Sequence, residues 1–431
     1  MNPTPGKPLE RREFLRRGGL ALGILGLFPT VAAFVRAQGQ ATSPLPSFTG
    51  PGSNPYWNGV NPYVVYPQKA PLLRLTDRPV QLETPRGYFL TAVTPNAAHY
   101  VRYHLDEIPN AVDLAAWRLS VEGNVDKPLK LSLAELIANF KPVSLAAVNQ
   151  CSGNSRSRFQ PRVAGGQWGN GAMSNAVWTG VRLKDVLAAA GVKSGTVQIS
   201  FQGLDRGKGP EGKGSNAFIK ALDWNDPVLE EVILAYAMNG EPLPMLNGFP
   251  LRAVVPGRFA TYWMKHLTWI RALTEEEKNF WQASAYKVPD NPRGLTTPQE
   301  ASTVKTVPIG KYPMPVRSFI ITPDGSSKIP LGLPLSVRGI AFSGYGRVTR
   351  VEFSDDDGKT WRPAALGEYL GPYSFRTWEY LWRPQKPGKY VLAVRASDER
   401  GNVQPDEPVW NASGYMWNRI ERQEIVVGSA G

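Results

Sequence analysis

The 431-residue sequence predicts a mixed α+β domain followed by an all-β domain. Apolar residues at helical spacing occur only between about 130 and 191, where strand-like runs lie among them. After residue 316 the sequence contains strand-like runs separated by turns and no helical pattern. With 42% hydrophobic residues, a chain of this length can bury a sizeable core and is expected to form two domains. We therefore expect an α+β first domain and an immunoglobulin-like β-sandwich.

Two helices are predicted in the first domain. The first begins at Ser132, which forms a capping box with Glu135. The second ends at Gly191, a residue suited to the position after a helix. Their apolar faces are Leu133, Leu136, Ile137 and Phe140 in the first helix, and Leu183, Val186 and Leu187 in the second.

Strands are predicted from β-branched and aromatic runs that turn residues follow. In the first domain these runs are 197–201, 232–237, which precedes an Asn239-Gly240 turn, and 252–255. In the second domain they are 335–340, 348–353, which precedes an Asp357-Gly358 turn, and 390–396.

Composition sets the domain boundaries. Residues 38–90 are rich in Pro, Gly, Ser, Asn and Tyr without a sustained period, which predicts an extended arm. Prolines recur in 289–316, which is typical of a linker. The first domain is therefore placed at 91–288 and the β-sandwich at 317–431.

An export signal is predicted at 1–37. The motif ERREFLRR at 10–17 contains an arginine pair followed by Phe-Leu, and an apolar run at 18–35 leads to a small-residue cleavage site. This pattern is typical of the twin-arginine route, an address and not a permanent membrane anchor. We therefore expect a periplasmic protein. Because residues 1–37 hold six basic and two acidic residues, cleavage lowers the formal charge from +13 to +9.

Composition also excludes several classes of function. A single Cys excludes an internal disulfide framework, a Cys-rich zinc site, an iron–sulfur cluster and a covalently attached haem. The basic residues are scattered and not clustered, so the positive charge does not indicate nucleic-acid binding. A P-loop at 207–214 is rejected because Gly214 stands where Ser or Thr would bind magnesium, and a surface loop is expected there.

The single Cys151 follows the apolar run 143–148 and precedes a polar, Gly-containing loop. Arg156 and Arg158 would favour its thiolate by opposite charge. The residues alone leave two roles open, a nucleophile and a ligand for a soft or high-valent metal. A blue-copper site is rejected because no His and Met follow the Cys at short spacing.

Four other residues suit binding of a small oxyanion. Arginine guanidinium groups bind tetrahedral anions through paired N–H donors, and an indole or phenol can add a further hydrogen bond. The candidates are Arg102, Arg156, Trp168 and Tyr286.

The order of several motifs resembles that of the sulfite oxidase family of molybdopterin enzymes, most closely its periplasmic sulfite dehydrogenases. These motifs are YVRYH at 100–104, NQCSGN at 149–154, WGNGA at 168–172, WTGV at 178–181, FQGLD at 201–205, LAYAMNGEPLP at 234–244, GFPLR at 248–252, NVQPD at 402–406 and PVWN at 408–411. The resemblance covers about 90–428, and it implies a sulfite-oxidase-type molybdopterin domain followed by a dimerisation domain.

The resemblance implies roles for named residues. Cys151 would be the thiolate ligand of molybdenum, whose other sulfur ligands come from one molybdopterin. Arg102, Arg156, Trp168 and Tyr286 would surround the substrate. The residues that would hold the pterin and its phosphate are Tyr100, His104, Asp205, Asn247, Arg252, Trp263 and Lys265.

The implied reaction is oxidation of sulfite to sulfate by oxygen-atom transfer. Electrons would pass to a c-type cytochrome or a haem subunit, because no haem is expected in this chain, and a homodimer would form through the C-terminal domain. Asn247 and Tyr262-Trp263 stand where animal enzymes carry His and Arg-His, which implies a different donor set for the phosphate. Ser413 stands where they carry an arginine near the substrate, and this puts substrate affinity and identity in doubt.

Three other functions stay open at this stage. A reductase of methionine sulfoxide or another S- or N-oxide would run oxygen transfer in reverse. A sulfane dehydrogenase would act on a protein-bound sulfur group. A protein that has kept the fold without catalysis would use its β-sandwich for adhesion or binding.

Overall fold

Twenty-five strands and three short α-helices make up the described part of the computed structural model, which comprises residues 63–64, 68–77, 79–207, 217–325 and 328–428. These residues belong to the second of two units into which the chain divides, Ser47–Gly431, and the first unit, Met1–Pro46, lies outside them. The predicted export signal, residues 38–62 of the predicted arm and nearly all of the predicted 207–214 loop also lie outside the described residues. The described fold contains more β-structure than a mixed α+β interpretation suggests.

The first part of the chain holds all three α-helices and fifteen strands. The helices are α1 (Leu133–Asn139), α2 (Leu183–Ala190) and α3 (Phe280–Ala283). The strands are β1 (Tyr63–Val64), β2 (Leu72–Asp77), β3 (Val80–Glu83), β4 (Val101–Arg102), β5 (Leu119–Gly123), β6 (Leu129–Leu131), β7 (Pro142–Gln150), β8 (Met173–Arg182), β9 (Gln198–Arg206), β10 (Ala217–Asp223), β11 (Ile233–Met238), β12 (Glu241–Pro242), β13 (Arg252–Val254), β14 (Trp269–Leu273) and β15 (Lys287–Pro289).

Both predicted helices are confirmed. Ser132 accepts a hydrogen bond from the Glu135 backbone, and the Glu135 carboxylate accepts from the Ser132 backbone, so the capping box closes the start of α1. Gly191 ends α2 with φ of 67°, a left-handed conformation that glycine adopts without steric cost. The predicted strands 197–201, 232–237 and 252–255 correspond to β9, β11 and β13.

Two five-stranded sheets enclose the core of the first part. One has the order β10-β9-β14-β5-β6, and the other has the order β12-β11-β8-β7 with β13 paired to β11. Phe201 and Ile270 of the first sheet and Val148 and Trp178 of the second belong to one buried cluster. The polar loops at the strand ends are therefore anchored to two sheets that share a packed core.

Residues 63–102 form a four-stranded sheet of order β1-β2-β3-β4. Three of these strands fall within the predicted extended arm 38–90, so the described part of that segment is regular β-structure. Gln81 of β3 pairs with Arg102 of β4, so this sheet places a candidate substrate residue.

The second part of the chain is all β in the described residues 317–325 and 328–428. Its strands, with one that precedes it, are β16 (Thr306–Pro308), β17 (Arg317–Thr322), β18 (Lys328–Pro330), β19 (Leu335–Phe342), β20 (Val348–Ser354), β21 (Arg362–Pro363), β22 (Ala365–Leu366), β23 (Arg376–Trp382), β24 (Gly388–Asp398) and β25 (Glu421–Gly428). The predicted strands 335–340, 348–353 and 390–396 correspond to β19, β20 and β24. The predicted linker is not wholly irregular, because β16 pairs with β15.

Two sheets pack face to face in this second part. Their orders are β17-β19-β23-β22 and β18-β25-β24-β20-β21. Ile320 and Trp378 from one sheet and Phe353 and Ile425 from the other share a buried cluster. The β-sandwich is therefore confirmed as two packed sheets, and its immunoglobulin-like character stays a prediction.

The sandwich is joined closely to the first part. The Val148 amide donates to the Tyr373 carbonyl (2.9 Å), and the Tyr373 hydroxyl donates to Glu231 (2.7 Å). The segment before β25 returns to the first part, where the Met416 amide donates to the Ser152 carbonyl (3.0 Å). Residues near the end of the chain thus lie beside Cys151.

None of the helices in the described residues is long and apolar enough to cross a membrane.

Candidate active site

Two adjoining cavities open next to Cys151. We call them the inner cleft and the outer cavity, and both are lined by Arg102, His104, Cys151 and Tyr286. The outer cavity has a volume of about 550 Å³. Residues from three sheets and from the end of the chain therefore converge around one sulfur atom.

The structure brings together all twelve residues that the sequence analysis nominates. The inner cleft is lined by Tyr100, Arg102, His104, Cys151, Asp205, Asn247, Arg252, Trp263, Lys265 and Tyr286. The outer cavity adds Arg156 and Trp168. The roles assigned to these residues stay predictions, and their convergence is the structural fact on which those roles depend.

Cys151 follows the last residue of β7 and is 8% exposed. Its backbone is fixed on both sides, because its amide donates to the Ala172 carbonyl (2.9 Å) and its carbonyl accepts from the Asn154 amide (3.0 Å). Its sulfur lies where the two cavities meet. A thiolate held there can serve as a metal ligand with space on its open side.

Arg158 does not face the cavities next to Cys151, contrary to the sequence-based expectation. Its guanidinium pairs with Glu421 (3.2 Å) and lies over the Trp417 ring, and it lines neither the inner cleft nor the outer cavity. The 3₁₀ turn at Arg156–Arg158 sends the two arginine side chains in different directions. Arg156 alone of the two faces the outer cavity.

Carbonyl oxygens hold Arg156 from behind. Its guanidinium donates to the carbonyls of Gly414 (3.1 Å), Gly166 (3.3 Å) and Ser413 (3.3 Å), and it lies over the Tyr415 ring at 5.1 Å. A Cβ added at Gly414 would stand 2.6 Å from its Nε atom. The close fit fixes the direction of the guanidinium and explains why small residues surround it.

Arg102 and Trp168 occupy other walls of the outer cavity. Arg102 ends β4 and donates to the neighbouring Tyr103 carbonyl. Trp168 is 1% exposed, and Gly166 lies close to its indole nitrogen and to the Gln81 amide oxygen. Within the described residues neither Arg102 nor Arg156 forms an ion pair with a carboxylate. Their charges are therefore available to an anion.

Tyr286 and His104 form a hydrogen-bonded pair between the two cavities. Burial raises the pKa of Tyr286 far above its usual value, although the charge of Arg102 opposes this. Burial, with the charge of Arg102, holds the pKa of His104 well below its usual range. Both side chains are therefore neutral near pH 7, and the tautomer of the His104 ring decides which of the two donates.

The inner cleft is rich in positive charge. Arg252 is 3% exposed and lies over the Trp178 ring, and Lys265 donates to the Arg102 carbonyl (2.8 Å). Burial lowers the pKa of Arg252 to about 10 and that of Lys265 to about 7. Asp205 is the carboxylate that lines the same cleft, and burial raises its pKa. This cleft needs a further anion to stabilise its cations.

Polar atoms that lack a partner line the inner cleft. Both ring nitrogens of His99, the amide nitrogen of Asn149 and Nε of Arg252 are buried without a hydrogen bond. Such atoms are rare in folded proteins because each costs free energy, so their grouping indicates a polar ligand. A pterin with amide-like edges and a phosphate suits this set of donors and acceptors.

Several residues of these walls were not predicted from the sequence. They are His99, Asn149 and Phe218 in the inner cleft, and Gln81, Ser152, Trp281 and Tyr415 in the outer cavity. Asn149 and Ser152 stand within the quoted motif at 149–154, and His99 directly precedes the motif at 100–104, so their positions were a usable signal. Gln81 and Tyr415 lie far from Cys151 in sequence, and no pattern in the sequence points to them.

Within the described residues no group of three or more His, Cys, Asp and Glu side chains is arranged to hold a metal ion.

Two family profiles cover most of the chain. The oxidoreductase molybdopterin binding domain matches residues 104–281, and the Mo-co oxidoreductase dimerisation domain matches residues 310–427. Their boundary agrees with the division between the site-bearing part and the sandwich.

Curated relatives agree with these profiles. Mitochondrial sulfite oxidase of Rattus norvegicus is 34% identical over 385 residues, which are 85% of this chain and 68% of that protein. The human enzyme is 36% identical over the same length and with the same coverage. Nitrate reductase [NAD(P)H] of Hordeum vulgare is 32% identical over 81% of this chain and 42% of its own length.

A solved structure shares the fold. The sulfane dehydrogenase SoxCD of Paracoccus pantotrophus matches with a TM-score of 0.69 and 24% identity over 90% of this chain and 98% of its own. Fold and site together define a molybdopterin-dependent oxidoreductase. The chain belongs to the sulfite oxidase family, and its cofactor is molybdenum bound to molybdopterin.

Proposed function

We propose that this chain oxidises sulfite to sulfate and passes the electrons to a c-type cytochrome. The observation that supports this most is the pair of arginines, Arg102 and Arg156, on an outer cavity that reaches Cys151. Neither guanidinium has a carboxylate partner within the described residues. Opposite charge in a partly dry cavity both binds and orients a small dianion.

When bound, the cofactor supplies oxygen-atom transfer and accepts the electrons removed from the substrate. We propose Cys151 as the ligand that the protein gives to its metal. Seven residues of the inner cleft would hold the pterin and phosphate by hydrogen bonds and charge: Tyr100, His104, Asp205, Asn247, Arg252, Trp263 and Lys265.

The chain's own residues then act on the substrate. Arg156 is held by three carbonyls and aims its remaining N–H groups at the anion. Trp168 closes a wall and limits access of water. Tyr286 is a neutral phenol hydrogen-bonded to His104. With the His104 Nε2–H donating to the phenol oxygen, the Tyr286 O–H would be free to donate a hydrogen bond to an oxyanion.

A second candidate is oxidation of a larger sulfur substrate such as a protein-bound sulfane. The supporting observation is Ser413, which lines the outer cavity and donates to the Lys287 carbonyl (2.9 Å). A serine there leaves the cavity wider and less positive than an arginine would. This favours a bulkier or less charged substrate.

One comparative assay separates the candidates. Purified holoenzyme is assayed in three ways. The first assay uses sulfite with oxidised cytochrome c, and the second uses thiosulfate or a persulfidated peptide with the same acceptor. The third uses methionine sulfoxide with a reduced dye as electron donor. The proposal expects the highest kcat/KM with sulfite. A higher value with the sulfane compounds supports the second candidate, and turnover with sulfoxide alone overturns both.

We also propose export to the periplasm and dimerisation. The Arg11-Arg12 pair within residues 1–37 supports export. If both arginines are replaced by lysine, cell fractionation should find the protein in the cytoplasm. The matched dimerisation profile supports the second. Sedimentation analysis should give twice the mass of one chain.

A further inference from the structure

Lys69 is a buried lysine that neither the family motifs nor the mechanism uses. It precedes β2 and is 5% exposed. The next residue anchors the segment, because the Ala70 amide donates to the Ala97 carbonyl (2.9 Å). Lysine is almost never fully buried without a specific partner, so its position needs a physical explanation.

The ammonium group of Lys69 makes three hydrogen bonds. It donates to the Asn96 carbonyl (2.9 Å), to the His99 carbonyl (2.9 Å) and to the side-chain oxygen of Asn247. These partners satisfy all three N–H groups and are all neutral. Within the described residues Lys69 forms no ion pair, so its positive charge is solvated but not neutralised.

The contact with Asn247 fixes the direction of that amide. Because an ammonium group can only donate, the amide oxygen must face Lys69, and the amide nitrogen must face the other way. The nitrogen donates to the Tyr100 carbonyl (3.3 Å) with one N–H. Asn247 lines the inner cleft, and its second N–H remains for a ligand there.

Charge in this region is unbalanced without a ligand. Lys69, Arg252 and Lys265 are three basic side chains, and Asp205 is the one carboxylate among the described residues that line the inner cleft. An anion bound beside the basic groups would keep all three protonated. Burial, and the charge of Arg252, lower the pKa of Lys69 to about 7. A phosphate monoester, which carries close to two negative charges, would restore the balance.

We infer that Lys69 is a positioning residue for the phosphate-bearing end of the cofactor. It holds the Asn247 amide as a hydrogen-bond donor toward the inner cleft and places a positive charge directly behind it. The segment that precedes the molybdopterin-binding domain thus takes part in cofactor retention. This inference depends on the molybdopterin cofactor and not on the identity of the substrate.

The test compares cofactor retention in matched variants. Lys69→Met keeps the length of the side chain and removes its charge. Lys220→Met is the control, because Lys220 is also fully buried but donates to the Trp281 carbonyl and lies outside the inner cleft. Each holoenzyme is incubated under mild denaturant, and release of molybdenum is followed by elemental analysis of the desalted protein.

We expect Lys69→Met to speed molybdenum release by about tenfold, because a charge-assisted contact is lost, and Lys220→Met to leave the rate unchanged. Asn247→Ala should have a similar effect. If Lys69 acts through Asn247, the double variant should release molybdenum no faster than the faster single variant. Unchanged release from Lys69→Met, or equal acceleration by Lys220→Met, overturns the inference.

A second readout distinguishes this role from a purely structural one. Holoprotein and apoprotein, the latter from a host that makes no molybdopterin, are melted at pH 7. Lys69→Met leaves the oxygens of Asn96, His99 and Asn247 without a donor, so both forms should melt at a lower temperature. The holoprotein also loses a positive charge beside the phosphate, so its melting temperature should fall further and the gap between the two forms should shrink. If the melting temperatures of the holoprotein and the apoprotein fall by the same amount, Lys69 only supports the fold and the inference fails.

Discussion

The guanidinium of Arg156 donates to the carbonyl of Gly414, which lies 258 residues further along the chain. A candidate substrate residue from the loop after Cys151 is therefore positioned by the segment that returns from the β-sandwich. Gly414 has φ of 63° and leaves no room for a Cβ, which would stand 2.5 Å from Val163 and 2.6 Å from Arg156 Nε. The second domain thus shapes the site as well as packing against it.

Gly414→Ala should displace Arg156. We expect KM for sulfite to rise several-fold with a smaller change in kcat, because the loss falls on substrate binding. Steady-state kinetics with cytochrome c measures both constants. Gly332→Ala is the control, since Gly332 also has positive φ (78°) but has no atom within 4 Å of its added Cβ. Equal effects of the two variants would mean that backbone strain alone is responsible.

Arg156→Gln should raise KM for sulfite by more than tenfold. Loss of a charge-assisted contact costs about 1.5–3 kcal/mol, and each 1.4 kcal/mol corresponds to about a tenfold change. The same kinetic assay measures the effect. Arg162→Gln is the matched control, because Arg162 is exposed on the same loop and lines neither the inner cleft nor the outer cavity. An unchanged KM in Arg156→Gln would show that this arginine does not bind the substrate.

Much of this site could be predicted because its residues lie in short motifs whose order is preserved. Cys151 and Trp168 stand in such motifs, Arg156 lies two residues after one, and the structure brings all three to one cavity. The helix α1 could be predicted because a capping box is a local signal that needs no distant contact.

The sheet of residues 63–102 could not be predicted, for a physical reason. All four residues of β3 are buried, including Gln81 and Glu83, so no alternation of polar and apolar residues marks the strand. Glu83 is tolerated because its carboxylate accepts the amides of Gly169 (2.9 Å) and Gly171 (2.7 Å). These partners are distant in sequence, and Lys69 was missed for the same reason.

Turnover with sulfite should depend on ionic strength. With the proposed cleavage after residue 37 the chain would carry a formal charge of +9, and Arg102 and Arg156, which have no carboxylate partner among the described residues, line the outer cavity, so the field should attract an anionic substrate. We expect kcat/KM to fall as sodium chloride is raised from 10 to about 200 mM, where the Debye length shortens to below about 10 Å. Stopped-flow reduction of the enzyme measures this without the acceptor. A flat dependence would contradict electrostatic steering.

Cys151→Ser should abolish turnover and leave a folded protein. A serine hydroxyl is a poor substitute for a thiolate ligand, while the two backbone hydrogen bonds of residue 151 are kept. Turnover, molybdenum content and circular dichroism are measured on the same preparation. Full turnover in the serine variant would exclude Cys151 as the metal ligand, and loss of the folded spectrum would assign it a structural role.

Glu421→Gln should weaken the junction between the sandwich and the active-site loop. Glu421 is 4% exposed. Its carboxylate accepts hydrogen bonds from the backbone amide of Ile320 (2.6 Å), the side-chain amide of Asn170 (3.1 Å) and the guanidinium of Arg158 (3.2 Å). Removing its charge leaves nearby arginines without a partner, so the free energy of unfolding should fall by roughly 3 kcal/mol.

Urea unfolding of the holoenzyme, followed by fluorescence, measures the effect of Glu421→Gln. Glu424→Gln is the control, because Glu424 lies on the same strand, β25, and is exposed. The loop that Asn170 closes also carries Arg156 and Trp168, so KM for sulfite should rise together with the loss of stability. A large loss of stability with an unchanged KM would mean that the junction supports the fold without positioning the substrate residues.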